Sequence, residues 1–70
     1  MKYAVVIERA GDGSYSAYVP DLPGCVSSGD TLEEVRAMIQ EAVELHLDSL
    51  RTHGELIPQP SATTWVVDAA

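Results

Sequence analysis

Residues Val19–Thr31, VPDLPGCVSSGDT, decide how this chain is read. These thirteen positions hold two prolines, two glycines, two aspartates and the only cysteine. Such a stretch is either a catalytic loop built around Cys25 or backbone punctuation between elements. The residue types favour punctuation. Pro20 and Pro23 fix φ and remove backbone donors, and Gly24 admits a conformation that other residues avoid. Asp21 suits turn chemistry. Asp30 or Thr31 can cap a helix, with Glu33 or Glu34 three residues on, as a capping box needs. A reactive cysteine needs a nearby base and an electropositive setting. His46 and His53 are far along the chain and the surroundings are acidic, so Cys25 reads as a small buried hydrophobe.

Upstream of this corner, KYAVVIER (residues 2–9) and SYSAYVP (residues 14–20) carry the β-branched and aromatic residues of strands. Gly11-Asp12-Gly13 between them is a turn signal, so the pair reads as a hairpin. Residues 25–28 form a short third strand. Downstream, a helix is expected over about residues 31–53, with Gly54 as its stop. Leu32, Val35, Ile39, Ala42, Val43, His46 and Leu50 share one stripe of it, and Glu33, Glu34, Glu41, Glu44 and Asp48 lie opposite. Met38 and Leu45 on one flank, and Leu47 on the other, are expected to wrap around the sheet edge; a partner contact is the alternative. Residues 55–60 are an extended, proline-rich connector. TTWVVD (residues 63–68) then reads as a fourth strand.

The expected architecture is α+β, in the order β-β-β-α-β, as a single domain over residues 1–70. A right-handed crossover would lay the last strand beside the first, giving the sheet order 3-2-1-4. One helix covers one face. The other face carries either Tyr3, Tyr15 and Trp65 or Val6, Tyr18 and Val66, and either set is too apolar to leave in water. A homo-oligomer, dimer or tetramer, or a partner is expected there, with Tyr3, Val6, Tyr18 and Trp65 as candidate contacts. A chain of 70 residues with one cysteine also has no internal disulfide to support so small a core.

Four Lys and Arg against eleven Asp and Glu give a net charge of −7. That field repels phosphate backbones, which argues against direct nucleic-acid binding, and it attracts basic proteins. No apolar run approaches a membrane span, and no signal peptide opens the chain, so a cytoplasmic location is expected. No cofactor or structural metal is expected. The strand-end acids Glu8 and Asp68 with Glu33 or Glu34 suggest a two-metal nuclease as a remote third reading.

The segments YAVVIE, GSYSAYVPDLPGCVSSGDTLEE and EAVELHLDSLRTHGELIPQP resemble the HicB-type antitoxin domain in order and spacing, over about residues 3–60. The resemblance implies a partial ribonuclease-H-like fold without nuclease activity. It also implies a partner, a small basic HicA-type toxin that cleaves mRNA through a catalytic His. Many family members carry a further C-terminal DNA-binding domain. This chain reaches Ala70 without one, so autorepression through its own DNA contacts is not expected. Met38 stands where the family's helix often has Asn. The first functional reading is therefore a non-enzymatic antitoxin-like module. Its toxin-facing residues would be the loop Asp21, Leu22, Pro23 and Gly24 and the acids Glu33, Glu34, Glu41 and Glu44. The alternative is a stand-alone oligomeric interaction domain with a different protein partner.

Overall fold

The structure is a computed structural model describing residues Met1–Ala70. Strands β1 (Val6–Arg9), β2 (Tyr15–Tyr18) and β3 (Val26–Gly29) precede one helix, α1 (Leu32–Thr52). The strands form an antiparallel meander in the order β1-β2-β3. Its register aligns Val6 with Tyr18 and Tyr18 with Val26. Side chains alternate across a strand. Ile7, Tyr15 and Ala17 therefore face the helix, as do Tyr3 and Val5 from the chain leading into β1.

Alpha-helix α1 starts where the local chemistry favours it. Thr31 Oγ1 accepts from the Glu34 N–H at 3.0 Å, and Glu34 Oε1 accepts from the Asp30 N–H at 3.3 Å. This is a capping box whose return bond falls one residue early. The helix stops in a Schellman pattern, in which the Gly54 N–H donates to the Arg51 carbonyl and the Glu55 N–H to that of Leu50. Between these ends Val35 and Ile39 are buried, and they meet Ala17, Val19, Leu22 and Cys25 in the core. The helix lies over β3 and β2 and makes no close backbone approach to β1.

The VPDLPGC corner is a pair of consecutive β-turns. The Leu22 N–H donates to the Val19 carbonyl at 3.1 Å, and the Cys25 N–H to that of Leu22 at 3.0 Å. Pro23 followed by Gly24 at φ 85° is the signature of a type II turn. A Val19 N–H bond to the Cys25 carbonyl closes the base of the corner. Val19, Leu22 and Cys25 all point inward, and Leu22 is wholly buried. The corner is thus part of the core.

The fourth strand and the order 3-2-1-4 are not formed. Residues 63–68 adopt no strand, and no backbone hydrogen bond involves residues 63–70. The ribonuclease-H-like fold that the resemblance implies includes this crossover strand, which the structure does not form. Thr63, Thr64, Trp65, Val66 and Val67 have strong β-propensity, but propensity yields a strand only where an edge is within reach. The chain passes the segment leading into β1 at Pro58, whose carbonyl accepts from the Tyr3 hydroxyl. It is then held at the β2–β3 corner by Asp21.

Candidate functional site

Three surfaces carry the residues singled out above. The first is the corner. Asp21 accepts from the Ser61 N–H at 2.8 Å, the Ser61 hydroxyl at 2.6 Å and the Ala62 N–H at 2.9 Å. These donors, the Ser61 hydroxyl foremost, hold its carboxyl below the ordinary value of 3.8. Both of its oxygens are engaged within the chain, so its role here is to clamp the C-terminal segment. Leu22 is removed from the candidate contacts altogether. At 0 % exposure it offers nothing to a partner, because the double turn folds every third residue into the core. Pro23 and Gly24 remain exposed. Cys25 is buried and burial raises its thiol pKa, which favours the inert thiol.

The second surface is the outer side of α1. Glu33, Glu34, Glu41 and Glu44 are exposed there, with Asp48 beyond them. Glu34 is engaged in the cap, and Glu44 accepts from the Gln40 amide at 3.1 Å. One ion pair lies on this side, Arg51 to Asp48 at 3.2 Å, and both of its side chains are solvated. The other acids of this side form no ion pair. Leu47 packs against the core, but Met38 and Leu45 do not wrap around the sheet. They are 44 % and 62 % exposed. Helical spacing sets Glu34, Met38, Glu41 and Leu45 in one row, so the acidic side carries an apolar seam.

The third surface is the sheet face away from the helix. Of the two sets left open by the sequence, Val6 and Tyr18 lie there, and Tyr3 does not. Odd-numbered Tyr3 projects to the helix side, packs on the core and donates its hydroxyl to Pro58. Trp65, assigned to this face as part of a strand, instead stands free in the C-terminal segment at 87 % exposure. Val26, 64 % exposed, was missed, although its partner in the meander register is Tyr18. Alternation along β3 could have found it. Ser61, the partner of Asp21, carried no sequence signal, since the two residues are 40 positions apart.

The carboxylates weighed as a nuclease centre are not brought together. Glu8 ends β1, Glu33 and Glu34 open the helix, and Asp68 lies in the unpaired segment. No group of three or more His, Cys, Asp or Glu side chains is gathered as a metal site. No helix is long and apolar enough to cross a membrane.

An α+β domain of three antiparallel strands and one helix, with an acidic helix exterior, is the class that this arrangement defines. It superposes on the crystal structure of the N-terminal domain of the Burkholderia pseudomallei antitoxin HicB with a TM-score of 0.81. The match covers 90 % of this chain and 74 % of that one, at 27 % sequence identity. A UPF0150 protein of Thermoplasma acidophilum is 42 % identical over 69 residues, 99 % of this chain and all of that protein. A Synechocystis UPF0150 protein is 44 % identical over 57 residues, 81 % of this chain and 72 % of that one. The sequence pattern of the HicB-like antitoxins of bacterial toxin–antitoxin systems matches residues 3–69. The chain belongs to that family.

Proposed function

We propose that this antitoxin-family domain, acting in the cytoplasm, neutralises a basic HicA-type toxin that cleaves mRNA. It does so by laying the outer side of α1 over the toxin's cationic RNA-binding surface. The observation that carries this reading is the exposed row Glu34, Met38, Glu41 and Leu45, flanked by Glu33, Glu44 and Asp48. Acids steer the encounter with a basic protein, and desolvated apolar side chains at the centre supply affinity. A net charge of −7 on 70 residues supports the steering. In this mode the domain blocks RNA by occupying its binding surface and needs no catalytic group of its own. Of the corner residues only Pro23 and Gly24 remain as toxin contacts, at the rim.

The reading predicts a gene for a small basic protein beside this chain's own, and the test is co-expression of the two. Growth is restored by the wild-type domain, and the two co-purify. Substituting Lys for both Glu41 and Glu44 lowers the association rate by roughly tenfold or more at low salt, in keeping with the range of electrostatic steering. An association rate independent of ionic strength, or toxicity unrelieved by the wild-type domain, refutes the reading.

A further inference from the structure

The most exposed apolar side chains include three consecutive residues, Trp65, Val66 and Val67, at 87 %, 89 % and 67 % exposure. They lie in an extended segment without a backbone partner. The molecule is correspondingly open. Its radius of gyration is 13.4 Å, where a compact chain of 70 residues has about 11 Å. Its accessible surface is 5331 Å², against about 4,250 Å² for a compact monomer of its mass. The excess, about 1,100 Å², is comparable with one side of a stable protein interface, about 800 Å².

The surface that would receive such a segment is on the same molecule. β1 is an outer strand, so one row of its N–H and C=O groups is unpaired. Because α1 is displaced toward β3, an apolar groove of about 300 Å³ opens between the helix and the chain leading into β1. Met1, Tyr3, Val5, Ile39 and Val43 line it, with Lys2 and Gln40 at its polar margin.

We infer that residues Thr63–Asp68 of one copy add as a strand along the free edge of β1 and the chain leading into it in a second copy, reciprocally, with Trp65 seated in the groove beside α1. Alternation then fits on both sides. Trp65 and Val67 face the groove, while Val66 extends the open row Val6, Tyr18 and Val26 to four residues. A tryptophan and two valines from each tail, with the matching area they cover, bury roughly 1,500 Å² in all, within the standard interface range.

The chain's own β1 is not the acceptor. The backbone passes the chain leading into β1 at Pro58, beside Tyr3, and is then fixed at the β2–β3 corner by three bonds to Asp21. Between Ala62 and Asp68 there is no glycine, no proline and no residue at positive φ to turn it back. Exchange of an identical element between two copies satisfies both edges with no new sequence. The antitoxin role is not a premise of this inference, because the dimer uses β1 and the tail, away from the outer side of α1.

Trp65 is the only tryptophan, which makes the test direct. Sedimentation of the full chain from nanomolar to several hundred micromolar should show a twofold rise over the 7.5 kDa monomer mass. Trp65 emission should shift to the blue, and quenching by acrylamide should fall, in step with that rise. The double variant Val66→Pro with Val67→Pro removes one N–H on each side of the added strand and should remain monomeric. Helical circular dichroism should be unchanged, since neither residue touches the core. The inference is overturned by a monomer at all concentrations, by Trp65 protected within a monomer, by a dimer whose Trp65 stays fully quenchable, or by dimerisation of the proline variant.

Discussion

Replacing Gly29 with Ala should unseat the helix that presents the acidic surface. Gly29 ends β3 and is buried beneath the first turn of α1. A Cβ added there would lie 2.8 Å from the Val35 nitrogen, and 3.2 Å from both the carbonyl carbon and Cγ of Glu34. The closest of these atoms is helix backbone, which cannot swing aside as a side-chain end would, so the helix must move off the sheet. Overpacking of this kind costs about 1–3 kcal/mol. The loss of unfolded-state freedom on Gly→Ala returns about 0.4–1 kcal/mol. With both terms near the middle of their ranges, the net destabilisation is about 1–2 kcal/mol. A chain of this length has about 3.5–10 kcal/mol in total, so the loss is a sizeable fraction. For a domain of this size each kcal/mol moves Tm by about 4–8 °C, and Gly29→Ala should melt roughly 4–16 °C lower. The assay is thermal and urea unfolding followed by far-ultraviolet circular dichroism. Gly11, which has open space around its Cβ position and a φ outside the left-handed region, is the control. Gly11→Ala should be neutral or slightly stabilising. Equal melting of Gly29→Ala and wild type would refute the close seat of the helix on β3.

Leu22→Ala should cost about 2–5 kcal/mol, the usual range for a buried leucine, since this side chain is wholly enclosed. Any loss of toxin binding should vanish when samples are compared at equal folded fraction; a loss that persists would return Leu22 to the interface. Asp21→Asn should release the tail, seen as faster amide exchange at Ser61 and Ala62 with the rest of the domain unchanged. The same clamp has a defined pH dependence. The folded pKa of Asp21 lies below the ordinary 3.8, so its stabilisation is complete above that value and is lost as pH falls through the depressed one. A Ser61 amide titrating at 3.8 or higher would contradict it. Cys25, buried and with its thiol pKa raised, should react with a maleimide only at the rate of unfolding, and rapid labelling of the folded chain would show the corner to be open.

Much of this architecture is local and therefore legible in the chain. Asp30-Thr31 with Glu34 specifies a helix start because the caps are satisfied by residues three and four positions apart. Strand alternation and the Gly11-Asp12-Gly13 turn specify the hairpin, and Pro23-Gly24 specifies a turn at that position. The charged side of α1 follows from helical periodicity. What periodicity does not report is how far the helix slides across the sheet, and hence that Met38 and Leu45 stay in water.

Sequence alone determined the three-strand meander, the helix and its limits, and the sign of the surface, because each depends on neighbours within a few residues. Tertiary structure decided the rest. It turned Leu22 from a candidate contact into core and turned Asp21 from a docking residue into a clamp on Ser61 and Ala62. It also left Trp65, Val66 and Val67 unpaired, although their composition reads as a strand. A strand's second half is its partner edge. Which edge lies within reach is fixed by contacts 40 residues apart, and no local pattern encodes them.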